Sequence, residues 1–140
     1  MMISNCNITL YNRYYENNII KYKKCYIYDV NWQGKQAITV SDKGLNSADL
    51  TKIYIPFEYK SEDIYLKPKD FEKLQNKEGF FTIQNKDIVV KGIVDFELTG
   101  VRPNNLEYLQ HLYDNVAIID SVIANDNGSS YMQHWEVGCK

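Results

Sequence analysis

Residues 116–138 hold two apolar-rich runs on either side of Asn125, Asp126, Asn127, Gly128 and Ser129, short polar side chains with one glycine able to take positive φ. That combination specifies a β-hairpin, and no other stretch constrains the fold as strongly. In the returning run Tyr131, Gln133, Trp135 and Val137 share one face, while Met132, His134 and Glu136 share the other. The tryptophan side is expected to meet the core, with Trp135 as its anchor and the remaining chain packed around it.

Upstream the period-two pattern recurs. Residues 3–11 read as a short strand with Ile8 and Leu10 on one side, followed by the polar Asn12, Arg13, Glu16, Asn17 and Asn18. Over residues 20–32, Tyr22, Tyr26, Tyr28, Val30 and Trp32 alternate against Lys21, Lys23, Cys25, Asp29 and Asn31, which predicts a long strand with one wet face. Gln33, Gly34 and Lys35 predict a turn into a partner strand over 36–40, followed by a polar loop over 41–51. Ile53, Ile55 and Phe57 restore a strand pattern, in which Pro56 removes a backbone donor and marks an edge or the end of pairing. Residues 58–67 read as an extended loop whose Tyr59, Ile64 and Tyr65 either tuck back or meet another protein.

Pro68 suits the first position of a helix running over 69–76. Residues 79–83 and 88–98 flank a second hairpin signal at 84–87, with Gly92 marking a bulge or a close crossing backbone. Asn104 and Glu107 form a capping-box-like start to a second helix with Leu106, Leu109, Leu112 and Tyr113 as its apolar stripe. The sum is a mainly β fold with minor α, a small β-barrel or sandwich of antiparallel hairpins with two short helices.

At 140 residues the chain suits one domain, 1–140, and no apolar run approaches the roughly 20 residues of a membrane helix. The first residues lack a basic segment followed by an apolar one, so synthesis and residence in the cytoplasm are expected. A net charge of -2 and a pI near 5.7 argue against affinity built on gripping phosphates. Lys21, Lys23 and Lys24 read as a solvated strand face, and strand packing accounts for most of the 12 tyrosines. Cys6, Cys25 and Cys139 are too few and too dispersed for a zinc motif or a disulfide framework, and Cys139 is expected to be exposed.

No catalytic motif emerges. His111 and His134 stand in no metal-ligand spacing, and neither a nucleophile elbow nor a phosphate-binding loop is present. A calcium loop at the hairpin tip fails because Ile123 and His134 occupy positions that require acidic residues. The expectation is therefore no catalytic, cofactor-binding or metal site and no enzymatic activity, with function carried by assembly or binding.

Four segments, IYIPF (53–57), LKPKDFEKL (66–74), FFTIQNKDIVVKGIVDFELTG (80–100) and the terminal NDNGSSYMQHWEVGCK, resemble an uncharacterised virion family encoded by phages and prophages near the head-tail junction. The strand pattern is similar to that of head-closure, or stopper, proteins of long-tailed phages. The resemblance implies a non-enzymatic virion subunit forming a homo-oligomeric ring, expected to be dodecameric, between portal and adaptor proteins and the tail. Assembled in the host cytoplasm, such a ring passes and then retains double-stranded DNA, without a membrane partner or cofactor. Tyr59, Ile64 and Tyr65 are its assembly or channel-loop candidates. A tail-terminator or other minor neck protein is the alternative, and a phage regulator binding a host protein a further one.

Overall fold

The computed structural model describes residues 4–34, 51–126, 128 and 132–140. In chain order these form β1 (Cys6–Glu16), β2 (Ile19–Gly34), β3 (Thr51–Pro56), β4 (Ile64–Tyr65), α1 (Pro68–Glu72), β5 (Phe80–Phe81), β6 (Ile88–Lys91), α2 (Leu106–Leu112), β7 (Val116–Asn125) and β8 (His134–Cys139). Six strands close into a barrel in the order β1-β2-β3-β8-β7-β6, every neighbouring pair antiparallel. The mainly β class and the two short helices are as the residue pattern predicts, and of the barrel and the sandwich that it allows the chain takes the barrel. Residues 36–40 and almost all of the 41–51 loop lie outside the described residues, where β2 takes β3 as its described partner.

The barrel interior is filled from all of its walls by Ile8 and Leu10 of β1, Ile27 of β2, Ile53 of β3, Val89 of β6, Ile119 of β7 and Val137 of β8, each at most 2% exposed. A second cluster sits outside the wall, where Tyr11, Ile88 and Val90 are covered by Leu98 and by Leu109 of α2. Both faces of β6 are thus buried, which explains a run, Ile88, Val89, Val90, without alternation.

Two bulges reset which side chains face inward. Between the pairs Cys6↔Val30 and Ile8↔Ile27, β2 contains one extra residue, and Asp29 there has φ 58°. Cys25 and Ile27 therefore point inward on one side of the bulge and Val30 and Trp32 on the other, so the expected wet face containing Cys25 is incorrect. In β7, Ile119 pairs with Cys139 and Ser121 with Gly138, leaving Asp120 as the extra residue. Ala117 and Ile119 face the core before it and Val122 packs there after it.

Other expectations shift for local reasons. Asn17 and Asn18, with φ of 53° and 63°, make a two-residue primed turn, so β1 continues to Glu16 and pairs with β2 as a long hairpin. Pro56 ends pairing opposite His134 rather than marking an edge, since β3 lies between β2 and β8. Residues 79–83 and 88–98 do not form a hairpin: β5 runs parallel to β4, and β6 joins β1 and β7. Gly92, with φ 97°, ends β6, and Thr9 takes over with its side chain, donating from Oγ1 to Gly92 O (2.8 Å) and accepting from Val94 N (2.9 Å). Residues 94–96 are then pinned by Tyr26 Oη to Val94 O (2.9 Å) and Tyr11 Oη to Phe96 O (2.7 Å). The first helix stops at Glu72, and Asn105 rather than Asn104 caps the second by accepting from Tyr108 N.

Cys139 is fully buried between Ile119 and Thr51, contrary to its expected exposure. Burial pushes the Cys25 thiol up to about 12 and raises that of the half-buried Cys6. In native protein at neutral pH, Cys25 and Cys139 are expected to resist a thiol reagent and to react fully only in denaturant. Rapid labelling of either in the native state would contradict the register of β2 or β8.

Candidate functional site

Three features outside the general packing carry chemistry or open surface: an aromatic cluster at one barrel end, a cleft beside β2, and a projecting hairpin. The cluster forms where β3 leaves the barrel and β8 enters it. Trp135, 7% exposed, has the rings of Tyr65, Phe57 and Tyr59 at 4.5, 4.6 and 6.1 Å. Tyr59 and Tyr65 also meet Phe81 edge-on, at 5.2 and 5.7 Å, and Tyr59 Oη accepts from Tyr65 N (2.8 Å). Burial pushes the Tyr65 phenol up. Trp135 is thus buried on the face its position on the strand predicts.

Of the three loop candidates, Tyr59 and Tyr65 are brought together against Trp135, while Ile64 points away and is 58% exposed. The 58–67 segment is not an extended loop. Tyr28 bridges to Lys60, β4 pairs with β5, and Leu66 N donates to Phe81 O. A strap with two aromatic side chains folded inward leaves Ile64 as the large apolar group it offers to solvent.

The cleft, about 570 Å³, lies between β2, from Tyr22 to Tyr26, and a wall made by residues 61–63 and 75–79. Lys23 donates to Asp63 across it, and Lys24 reaches Glu97 at 2.7 Å. Ser61 Oγ donates to Tyr26 O (2.6 Å) and lies 3.6 Å from Cys25 Sγ. This thiol is protonated at neutral pH, so its neighbourhood with a hydroxyl does not make a nucleophile. Lys21, Lys23 and Lys24 are each paired, with Glu16, Asp63 and Glu97, which makes their face a set of internal ion pairs rather than a phosphate-binding patch.

The histidines stand apart. His111 stacks on Tyr108 at the exposed surface of α2, and His134 lies edge-on to Tyr54 with Nδ1 2.8 Å from Met132 O. Among the described residues no three His, Cys, Asp or Glu side chains are placed to hold a metal ion.

The projecting hairpin is the outer part of β1 and β2. β6 pairs with β1 only from Ile8 to Tyr11, so residues 12–16 and 19–23 continue past the wall as a two-stranded arm. Its end carries Tyr15, Ile19 and Ile20 at 64%, 58% and 38% exposure. A family model matches residues 3–140, a span that includes barrel, cleft and arm. The chain belongs to DUF6751. That is a family of unknown function, and neither the curated proteins nor the solved structures contain a match.

Residue reasoning overlooked the node that fastens the arm of this DUF6751 chain to the barrel. Asn12 and Asp87 are both fully buried. Asn12 Nδ2 donates to Thr82 O (2.6 Å) and to Asp87 Oδ2 (2.8 Å), and its Oδ1 accepts from Thr82 N (3.0 Å). Asp87 Oδ1 accepts from Arg13 N (2.8 Å) and Gln84 Nε2 (3.3 Å), while Gln84 Nε2 also donates to Arg13 O. Side chains therefore replace a strand along β1 where β6 stops. Burial pushes the Asp87 carboxyl up to about 7 against these donors, which pull it down. One signal was available: Asn12 continues the inward phase of Ile8 and Leu10, where a polar side chain requires a partner.

Proposed function

We propose that this DUF6751 chain is a structural virion protein of the phage neck, a head-closure or stopper-type connector subunit. In this reading copies form a ring between portal or adaptor and tail and help to retain double-stranded DNA. A tail-terminator or other minor neck protein is the neighbouring reading. The resemblance of the four segments supplies the gene context, and one structural observation supports assembly as the mode of action: a hairpin arm that leaves the barrel with Tyr15, Ile19 and Ile20 exposed. Grouped apolar side chains on a projecting element gain free energy by being covered, and a closed barrel supplies the rigid wall on which such an arm can be aimed. Repeated head-to-tail coverage closes a ring when the rotation between copies permits.

Light scattering on purified protein is expected to show a ring or a concentration-dependent oligomer, and mass spectrometry of intact particles to find the chain in virions. Absence from particles overturns the neck assignment. Ile19→Asp with Tyr15→Ser places a charge and removes a ring at exposed positions, so the melting temperature should be nearly unchanged while the oligomer falls to monomer. A double variant that assembles normally excludes the arm as the subunit contact.

A further inference from the structure

The turn between β1 and β2 determines which backbone groups of β2 face its neighbour. Glu16 and Ile19 close the two-residue loop, so residues 21, 23 and 25 of β2 exchange hydrogen bonds with β1. The N–H and C=O groups of Ile20, Tyr22, Lys24, Tyr26 and Tyr28 consequently point to the opposite edge. Near the barrel these are taken up: Tyr28 N donates to Lys60 O (2.8 Å), and Tyr26 O accepts from Ser61 Oγ. The β3 ladder covers only Asn31 to Gly34, at the far end of the strand. Among the described residues, the outward N–H and C=O of Tyr22 and Lys24 have no hydrogen-bond partner, and both residues line the cleft.

An open strand edge ordinarily invites pairing, and lysines at such an edge ordinarily repel it. Here the edge lysines are neutralised within the chain by Glu16, Asp63 and Glu97. Lys77, on the facing wall, donates to Leu74 O and lies over the rings of Tyr14 (4.9 Å) and Phe71 (5.3 Å). The cleft charges without an ion-pair partner among the described residues are Glu62, Glu78 and Lys77, two exposed carboxylates against one ammonium that is already engaged by Leu74 O and two rings. The spare charge of the cleft is negative, beside tyrosine rings that also favour cations.

We propose that the free edge of β2 from Ile20 to Lys24 accepts an extended strand of a partner protein bearing basic side chains. Main-chain hydrogen bonds to Tyr22 and Lys24 hold the strand, and Glu62 and Glu78 select its charge. The β2 edge of a second copy carries lysines already paired with its own Glu16, Asp63 and Glu97, so it offers Glu62 and Glu78 no free cation, which disfavours self-pairing. The inference goes beyond the neck assignment and does not depend on it.

Amide hydrogen exchange resolved by NMR on the full chain tests it. In dilute free protein the Tyr22 and Lys24 amides are expected to exchange fast; protection there shows the edge already occupied and overturns the proposal. A blocked octapeptide alternating lysine and threonine should slow both amides by about tenfold or more at millimolar concentration. Its glutamate counterpart should slow them by less than about twofold, and a lysine peptide N-methylated at every residue should have no effect. Glu62→Lys with Glu78→Lys should abolish the lysine-peptide effect at an unchanged melting temperature. Absence of protection with the lysine peptide, or equal protection by the glutamate or N-methylated peptide, overturns the proposal. Protection that grows with protein concentration alone identifies a second copy as the occupant and likewise overturns it.

Discussion

Trp135→Ala is expected to lower the free energy of unfolding by about 3–5 kcal/mol. Trp135 is 7% exposed and is the common neighbour of Phe57, Tyr59 and Tyr65, so its removal opens a void that three other aromatic rings border. Those rings cannot close it cheaply. Tyr59 is held by its hydrogen bond from Tyr65 N and by Phe81, and Tyr65 by the β4–β5 pairing. Trp135→Phe keeps an aromatic disc and should recover more than half of the loss. Urea midpoints for both variants measure the effect, and an unchanged midpoint in Trp135→Ala would show that the indole meets solvent or a partner instead. The strap carrying Ile64 should loosen in the same variant, because two of its side chains lose their anchor.

Asp87→Asn is expected to cost about 2–4 kcal/mol and to change how stability depends on pH. Above about pH 7 the ionised carboxylate accepts at both oxygens, from Asn12 Nδ2 on one side and from Arg13 N and Gln84 Nε2 on the other, and there the cost applies in full. An amide must turn its own N–H2 toward one of these donor sets, leaving buried donors facing each other. The pH dependence follows from the direction of the shift. With the folded-state carboxyl raised from 3.8 to about 7, the folded chain binds a proton more tightly than the unfolded chain does. Asp87 therefore contributes most to stability below about pH 4, and that contribution is lost as pH rises toward 7. Wild-type stability should fall across this window relative to Asp87→Asn, which has no group titrating there. A constant difference between the two proteins from pH 4 to 7 would show that the donors, not burial, govern the carboxyl. Because the node fastens the arm, exchange of Arg13 N–H should quicken in the variant before the barrel strands respond.

Much of the barrel is legible in the residues because it depends on local alternation. Trp135, Val137, Ile53 and Ile55 sit on the faces their spacing predicts, and β7 pairs antiparallel with β8. The errors arise where one residue changes the phase. Asp29 and Asp120 are ordinary strand residues until an extra position is inserted at each, after which every following side chain exchanges faces. Cys25 and Cys139 were misplaced, the first because its phase reverses at a bulge, the second because terminal position says nothing about burial. Residues 94–98 alternate well enough for a strand, yet Gly92 turns the chain and the hydroxyls of Thr9, Tyr11 and Tyr26 take the place of a ladder.

The candidate surfaces were less legible than the core. Tyr59 and Tyr65 belong chemically to either a core or an interface, and only the position of Trp135 and Phe81 decides between them. The open edge of β2 has no residue signature at all, since it is made of backbone groups whose direction is set by the register with β1 and by where β3 and residue 60 stop pairing.

What the sequence determined by itself is the mainly β class, the two short helices, the terminal hairpin and the inward face of Trp135. These follow from periodicity and turn chemistry, which act over a few neighbouring residues. The tertiary structure alone decided the closure of the barrel, the Asn12–Asp87 node, the inward fold of the strap and the β2 edge that is unpaired among the described residues, beside Glu62 and Glu78. Each depends on groups separated by tens of residues in the chain, and the free energy that joins them comes from burial and hydrogen bonding that local pattern does not encode.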